Sequence, residues 1–234
     1  MFIGMEAILP EAQIAWTHYF SKYGYSPDVY HLESIVDLVK KHRAGQTVFP
    51  QDVDIITGGF PCQDFSVAGK RNGFASQRDH KGKRMSEDEP SEETRGKLYF
   101  WMKQVIDIVK PKMFVAENVK GLVSLSDVKE IIQKDFSSAD ENGYLVLPPQ
   151  VLHAGNYGVP ESRERVIFIG IRKSALTLQT LSALTSVSIP AEYNPYPQPT
   201  HNYSCTSTSG LPYVCCADIF ETLEEPDSSA DPSQ

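Results

Sequence analysis

A cysteine, a carboxylate and two arginines stand where their side chains could take part in a reaction. Cys62 follows Gly58-Gly59-Phe60-Pro61, directly after the apolar run 53–57. The glycines permit close approach of a ligand and the proline fixes the backbone before the cysteine, so the thiol is held in one direction. This arrangement predicts a thiolate nucleophile. The alternative is a structural thiol in the core, the commoner role of an intracellular cysteine.

The carboxylate follows a second short apolar run. Segment 113–119 ends in the polar pair Glu117-Asn118, and Gly121 comes shortly after it. Ligands of open parallel α/β sheets bind beyond the carboxyl ends of the strands, so we expect Glu117 and Cys62 to be neighbours there. The structural alternative is that Glu117 and Asn118 cap the N-terminus of a following helix.

Two arginines lead into a third apolar run. Arg163 and Arg165 precede residues 166–169, and the segment before them reads Asn156-Tyr157-Gly158-Val159-Pro160. Side chains alternate along a strand, so residues at i and i+2 face the same way. The spacing therefore predicts two planar cations on one face, able to bind polar atoms through several donors. The alternative is a pair of surface charges on an edge strand.

The chain closely resembles the cytosine-C5 DNA methyltransferases of bacterial and phage restriction-modification systems. The resemblance lies in three motifs in this order: Pro61-Cys62-Gln63, Glu117-Asn118-Val119, and Tyr157–Pro160 with the Arg-x-Arg that follows it. Each tripeptide alone is common, but the ordered set is specific. Residues 95–100 (Arg-Gly-Lys-Leu-Tyr-Phe) are similar to the start of the family's helix between the cysteine and glutamate motifs. The resemblance covers roughly residues 1–172.

The resemblance implies transfer of a methyl group from S-adenosyl-L-methionine to C5 of a cytosine that is flipped out of double-stranded DNA. Cys62 would add to C6 and make C5 nucleophilic. Glu117 would meet N3 of the base and share a proton with it. Arg165 would bind O2, and Arg163 would orient the site or the cysteine loop.

Further roles follow from the same resemblance. The residues implied in cofactor binding are Pro61, Leu98 and Glu11, and those implied in substrate binding are Gln63, Ser66, Lys70, Arg71 and Asn118. Most of the second set lies in segment 63–84, which corresponds to the family's mobile loop and is locally basic. The alternative for this segment is a solvated surface loop with ordinary lysines.

The elements that must position these residues alternate between helix and strand. The sequence predicts helices over about 11–22, 33–43, 95–109 and 126–138, and strands over 53–57, 113–117, 144–152 and 165–172. Such alternation is typical of an α/β fold with a doubly wound, mostly parallel sheet. The resemblance implies the S-adenosylmethionine-dependent methyltransferase type of this sheet, here incomplete.

Composition and charge limit the class of protein. The 234 residues are 41% apolar and contain no long apolar run, which predicts a globular chain in the cytoplasm, associated with the nucleoid if bacterial. The net charge is −8, yet residues 174–234 contain no Lys or Arg. Positive charge is concentrated at 70–84 and 163–173, as DNA contact requires. His201, Cys205, Cys215 and Cys216 fit no common zinc module, and no metal site is predicted.

Both ends of the chain depart from the family pattern. Residues 1–7 resemble only the helix end that follows the family's glycine loop. We therefore expect residues 1–172 to form a catalytic domain that lacks the first strand and the glycine loop. Residues 173–234 would be the start of a target-recognition region, partly disordered. A complementary chain that supplies the missing motifs is a candidate partner, and the exposed sheet edge predicts poor solubility.

Two alternatives to a DNA methyltransferase stay open at this point. One is a tRNA cytosine-C5 methyltransferase of the same fold, which would share Cys62, Glu117 and Arg165. The other is an inactive fragment or subunit that only binds DNA or a partner chain.

Overall fold

The computed structural model describes residues 3–4, 10–60, 99–124, 128–203 and 210–221 of the chain. The α-helices are α1 (Pro10–Ser21), α2 (Ile35–Arg43), α3 (Tyr99–Val109), α4 (Val128–Ser137), α5 (Leu178–Leu184) and α6 (Cys216–Phe220). The strands are β1 (Ile3–Gly4), β2 (Tyr30–His31), β3 (Ile55–Gly59), β4 (Met113–Val119), β5 (Tyr144–Val146), β6 (Gln150–His153), β7 (Glu164–Arg172), β8 (His201–Asn202) and β9 (Leu211–Pro212). Within these ranges, no helix has the length and apolar character needed to cross a membrane.

The main sheet has the order β3-β4-β7-β5, and β6 also pairs with β7. β3 and β4 are parallel, whereas β7 is antiparallel to β4, β5 and β6. β3, β4, β5 and β6 therefore share one direction, and β7 alone is reversed among the strands of this sheet. The predicted α/β fold with a mostly parallel sheet is confirmed, with one strand of opposite direction near its middle.

Most predicted elements are present close to their expected bounds. The helices predicted at 11–22, 33–43 and 126–138 are α1, α2 and α4, and the strands predicted at 53–57, 113–117 and 165–172 are β3, β4 and β7. The helix predicted at 95–109 is α3, which the structure describes from Tyr99 onward. Helix α2 shows why local signals suffice, because the Ser34 side chain caps it by accepting from Val36 N and basic residues fill its last turn.

The strand predicted over 144–152 is two strands. β5 pairs with the C-terminal part of β7 and β6 pairs with its N-terminal part, so the two occupy successive stretches of the same neighbour. The break falls at Leu147-Pro148-Pro149, where the prolines have no N–H to donate to a sheet. The single continuous strand was therefore a wrong prediction.

Residues 3 and 4 correct a second expectation. A helix end was expected over residues 1–7, but Ile3 and Gly4 form β1, which pairs in parallel with Tyr30 and His31 of β2. This pairing makes a separate two-stranded sheet in the described part of the chain. The prediction was wrong because the backbone here is paired with a strand, a contact that the local sequence does not reveal.

One face of the main sheet is covered by α3 and α4. Helix α4 buries Val128, Ile132 and Phe136, which recur every four residues along one side of the helix. Phe136 packs against Phe114 of β4, with ring centroids 5.0 Å apart. The rings of Tyr144 and Phe168 lie around this pair in the same cluster. An aromatic core thus fixes the central strands on this side.

The opposite face is covered by chain that follows β7. Leu184 of α5 and Tyr196 are buried against Leu147 and Ile169. The Tyr196 hydroxyl lies 3.2 and 3.1 Å from the carbonyl oxygens of Pro148 and Ile167. The domain boundary predicted after residue 172 remains a prediction, but residues 176–196 share a hydrophobic core with the sheet.

The close contact between Gly170 of β7 and the Phe114 ring of β4 allows a test of the core packing. A Cβ at position 170 would lie 2.1 Å from Cε1 of Phe114, which is opposite Gly170 in the β4–β7 register. We expect Gly170→Ala to lower the free energy of unfolding by about 1–3 kcal/mol, as overpacking in a core does. Phe114→Leu should cost less stability in the Gly170→Ala variant than in the wild type, because leucine leaves room for the added methyl group. Urea unfolding of the single and double variants measures this difference. Strictly additive effects would contradict this explanation.

The buried hydroxyl of Tyr196 makes stability depend on alkaline pH. Burial raises the pKa of Tyr196 to about 12, whereas an unfolded tyrosine titrates near about 10. As pH rises, the unfolded state therefore loses this proton at a lower pH than the folded state does. The contribution of Tyr196 to the free energy of unfolding is complete below about pH 10 and is lost as pH rises towards the pKa of the folded state. Tyr196→Phe should therefore reduce the slope of unfolding free energy against pH in this window. Equal slopes in the wild type and in Tyr196→Phe would contradict this explanation. The variant should keep part of its slope, because burial also raises the pKa of Tyr99 and Tyr144.

Candidate active site

Three predicted site residues, Glu117, Asn118 and Arg165, lie towards strand ends on one edge of the sheet. In the parallel pairing of β3 and β4, Gly58 lies opposite Ala116 and Gly59 opposite Glu117. Phe60 follows β3 and is buried, so the chain leaves the sheet beside Glu117 on its way to residue 61. The predicted nucleophile Cys62 lies outside the described residues. So do six other predicted site residues: Pro61, Gln63, Ser66, Lys70, Arg71 and Leu98.

Glu117 and Arg165 form an ion pair. Arg165 Nε lies 2.7 Å from Glu117 Oε1, and the two side chains are 27% and 39% exposed. Arg165 pairs with Val119 across β4 and β7, which makes it a diagonal neighbour of Glu117. Its Nη1 also donates to the carbonyl oxygen of Glu164 at 2.8 Å. The guanidinium is thereby held by one ion pair and one hydrogen bond to backbone, while part of the pair remains open to solvent.

Arg165 is not an edge-strand charge. It lies opposite Val119 of β4 on one side and Leu152 of β6 on the other. A surface role on an edge strand is therefore excluded for Arg165. The sequence predicted Glu117 and Arg165 separately, but their mutual contact depends on which strands are neighbours, and the sequence contained no signal for that.

Arg163 takes a different position from Arg165. It precedes β7, and its Nη1 lies 3.6 Å from Glu161 Oε1. Its carbonyl oxygen accepts from the backbone N–H of Ala154 at 2.8 Å. The structure thus pairs Arg163 with a carboxylate of its own loop. Its predicted role in orienting the site remains a prediction.

Asn118 is buried and engaged by backbone. Asn118 is 1% exposed, and its side-chain Nδ2 donates a hydrogen bond to the carbonyl oxygen of Phe60 at 3.1 Å. Its Oδ1 accepts from the N–H of Val119 at 2.8 Å. Both halves of the amide are therefore occupied, and the Nδ2 contact joins β4 to the residue that follows β3. These contacts suit a residue that positions the segment entering Cys62 better than one that touches a substrate.

A second ion pair, absent from the sequence predictions, lies at the rim. Lys120 Nζ is 2.7 and 2.8 Å from the two carboxylate oxygens of Glu164. Lys120 follows β4 and Glu164 is the first residue of β7. Like the Glu117–Arg165 pair, this contact therefore joins the end of β4 to the start of its neighbouring strand β7. The only sequence signal was an acid between two arginines, which did not identify a partner.

The loop before β7 is held by chain from the C-terminal region. Tyr213 donates its hydroxyl hydrogen to Asn156 Oδ1 at 2.5 Å, and its ring stacks on His153 with centroids 5.7 Å apart. The N–H of Thr200 donates to the carbonyl oxygen of Asn156 at 2.9 Å. Sequence reasoning missed these contacts because they link segments about 50 residues apart. They connect the predicted recognition region to the loop that carries Arg163.

Glu11 is the only predicted cofactor residue within the described ranges. It lies exposed in the first turn of α1. A carboxylate at this position complements the positive end of the helix dipole, which explains it without a ligand. The predicted role of Glu11 in cofactor binding remains a prediction.

Asn118 can be tested against an exposed amide. We expect Asn118→Ala to lower the free energy of unfolding by about 1–3 kcal/mol, because it leaves the buried carbonyl of Phe60 and N–H of Val119 without partners. Gln179→Ala is the control: the exposed Gln179 amide donates to the Tyr193 hydroxyl, and its loss should cost less than about 0.5 kcal/mol. Chemical denaturation measures both. Equal effects would show that the Asn118 contacts are not what joins the strand ends.

Comparison with known proteins gives a consistent result. The chain is 40% identical over 131 residues to the type II methyltransferase M.Sau96I of Staphylococcus aureus, which covers 55% of this chain and 26% of that protein. It is 34% identical over 175 residues to M.NgoFVII of Neisseria gonorrhoeae, with 74% and 37% covered. The chain thus spans roughly a quarter to just over a third of the length of these relatives.

Solved structures of Dnmt2 methyltransferases are also similar. That of S. pombe is 18% identical with a TM-score of 0.44, covering 80% of this chain and 49% of the other. A Spodoptera frugiperda DNMT2 variant is 21% identical with a TM-score of 0.44, covering 70% and 40%. A family model described as C-5 cytosine-specific DNA methylase matches residues 15–209, which is most of the chain. The chain therefore belongs to the C-5 cytosine-specific DNA methylase family.

Proposed function

We propose that this chain carries the catalytic site of a DNA cytosine-5-methyltransferase of the restriction-modification type, acting on double-stranded DNA. The observation that carries the proposal is the Glu117–Arg165 ion pair, which lies at the sheet edge where the chain leaves β3 towards Cys62. Membership of the family and the similarity to type II methyltransferases support it.

The ion pair suits one edge of a cytosine ring. N3 and O2 of cytosine are adjacent acceptors, and Glu117 and Arg165 are held side by side with a heavy-atom separation of 2.7 Å. A guanidinium can donate to O2 through one N–H while another N–H keeps its protein partner. Glu117 would hold a proton against N3, which offsets the negative charge that develops on the ring. Together the two side chains would orient the base and activate it.

Cys62 would supply the covalent step. Its thiolate adds to C6, the electron pair of the C5–C6 double bond moves towards C5, and C5 forms the new bond to carbon. Bound S-adenosyl-L-methionine would supply the methyl group as an electrophile, with its sulfur keeping the electron pair of the broken S–CH₃ bond and S-adenosylhomocysteine as the leaving group. A base such as water would then take the C5 proton, which restores the double bond and expels the Cys62 thiolate. Asn118 holds the Phe60 carbonyl two residues before Cys62, so the nucleophile's segment starts from a fixed point.

The proposal predicts methyl transfer that depends on Cys62. Purified chain is incubated with S-adenosylmethionine carrying a labelled methyl group and with unmethylated genomic DNA, which offers every short target. We expect Cys62→Ala to lower transfer by at least about 10³-fold, as removal of a nucleophile does. Cys215→Ala is the matched control, since Cys215 is an exposed thiol and should leave transfer unchanged. Arg165→Lys should lower transfer by about 10²-fold, because lysine cannot keep two acceptors and reach O2.

A trapping experiment examines the covalent bond itself. In DNA that contains 5-fluorocytosine, fluorine at C5 cannot leave as the proton does, so the adduct should persist and retard the protein on a denaturing gel. Adduct in the wild type and in Cys215→Ala, but none in Cys62→Ala, is the expected result. An adduct in Cys62→Ala would refute the assignment of the nucleophile. Preferential transfer to tRNA in a mixture with DNA would favour the RNA alternative, and DNA binding without transfer would favour a non-enzymatic subunit.

A further inference from the structure

Glycine at position 59 is not explained by backbone conformation. The glycines with positive φ in the described part of the chain are at other positions: Gly24, Gly45, Gly143, Gly158 and Gly210. Gly59 lies in regular parallel pairing, directly opposite Glu117. A glycine inside a strand often marks a close approach by another group, and the group here is a side chain of the site.

The Glu117 carboxylate occupies the space beside Gly59. A Cβ at position 59 would lie 3.1 Å from Glu117 Oε2, closer than such atoms normally approach. The other carboxylate oxygen, Oε1, is 2.7 Å from Arg165 Nε. The carboxylate is therefore confined between a bare α-carbon on β3 and a guanidinium on β7. Its position depends on both neighbours.

The two carboxylate oxygens consequently have different surroundings. Oε1 is engaged by Arg165, whereas Oε2 faces Gly59 and accepts no hydrogen bond from the described part of the chain. Among the described residues, Oε2 is therefore the carboxylate oxygen that is not engaged by an ion pair. A methyl group at position 59 would push Oε2 away by a few tenths of an ångström, and because Arg165 holds Oε1, the carboxylate can yield only by altering that ion pair.

We propose that Gly59 is a positioning residue for Glu117, which leaves Oε2 available to the base while Arg165 holds Oε1. This inference rests on the proposed function, because N3 of cytosine is the ring atom that Oε2 would meet. Gly58 provides a matched control. A Cβ at position 58 would meet Met102, with Sδ 3.0 Å away, and this is the end of a flexible side chain that can yield.

The position of the carboxylate can be followed without enzymatic activity. The Nε–H signal of Arg165, assigned in ¹⁵N-labelled protein by its loss in Arg165→Lys, reports the contact with Oε1. We expect Glu117→Gln to shift this signal and speed its exchange with water. Gly59→Ala should move the signal in the same direction, because the added methyl group would contact Glu117 Oε2, and Gly58→Ala should leave it at the wild-type position, because Met102 can yield.

Two results would overturn the proposal. One is a wild-type Arg165 signal in Gly59→Ala when Glu117→Gln shifts it. The other is a signal that Glu117→Gln does not affect, because the ion pair would then not hold the carboxylate in solution.

A second variant keeps the idea testable if Gly59→Ala does not fold. In Gly59→Ala/Glu117→Ala the added methyl group has no carboxylate to meet, so this double variant should unfold at a denaturant concentration no lower than that of Glu117→Ala alone, since alanine also reduces the entropy of the unfolded chain. Failure of the double variant to fold would show that position 59 requires glycine for another reason, and would also overturn the proposal.

Kinetics separate this proposal from the proposed function. If the wild type transfers methyl groups, Gly59→Ala should lower kcat at least about tenfold and change KM for S-adenosylmethionine less than about twofold, as loss of an interaction made in the transition state does. If the wild type transfers none, the proposed function fails, and the Arg165 signal still decides whether Gly59 positions Glu117. Unchanged kcat with normal wild-type transfer would refute the role of Gly59 alone.

Discussion

The arrangement of the site depends on β4, which is paired on both sides. Its parallel partner β3 and its antiparallel partner β7 are in register over most of its length. Alternation then sends Ala116 and Asn118 into the core and leaves Glu117 on the opposite face, half exposed. One short strand thus provides a core residue, a tether for the neighbouring chain and a partly exposed, ion-paired carboxylate in three successive positions. A shift of one residue in register would exchange all three roles.

The local parts of this arrangement could be predicted from the sequence. The apolar runs and the polar residues at strand ends are local signals, and they located the four predicted helices and three of the four predicted strands within a few residues over the part of the chain that the structure describes. Glu117 and Arg165 were identified because a carboxylate and a guanidinium follow or enter apolar runs at that spacing. These inferences need no knowledge of which strands are neighbours.

The parts that sequence reasoning missed all depend on long-range pairing. The Glu117–Arg165 contact, the burial of Asn118 and the Lys120–Glu164 pair require the β4–β7 register. The break at Pro148-Pro149 became clear only when β5 and β6 were seen along one partner strand. Residues 176–196 belong to the core because Tyr196 and Leu184 find apolar neighbours on the sheet, although their segment has the composition of a loop.

The reversed direction of β7 has a consequence for how the site is assembled. Glu117 and the chain towards Cys62 come from the carboxyl ends of β4 and β3, whereas Arg165 comes from the amino end of β7. If β7 ran parallel to β4, its nine residues would carry Arg165 to the far edge of the sheet, roughly 25 Å away. Strand polarity alone therefore decides whether the anion and the cation of this site can meet. The two halves of the pair are drawn from opposite termini of their strands, and only a sheet of mixed direction can present both at one edge.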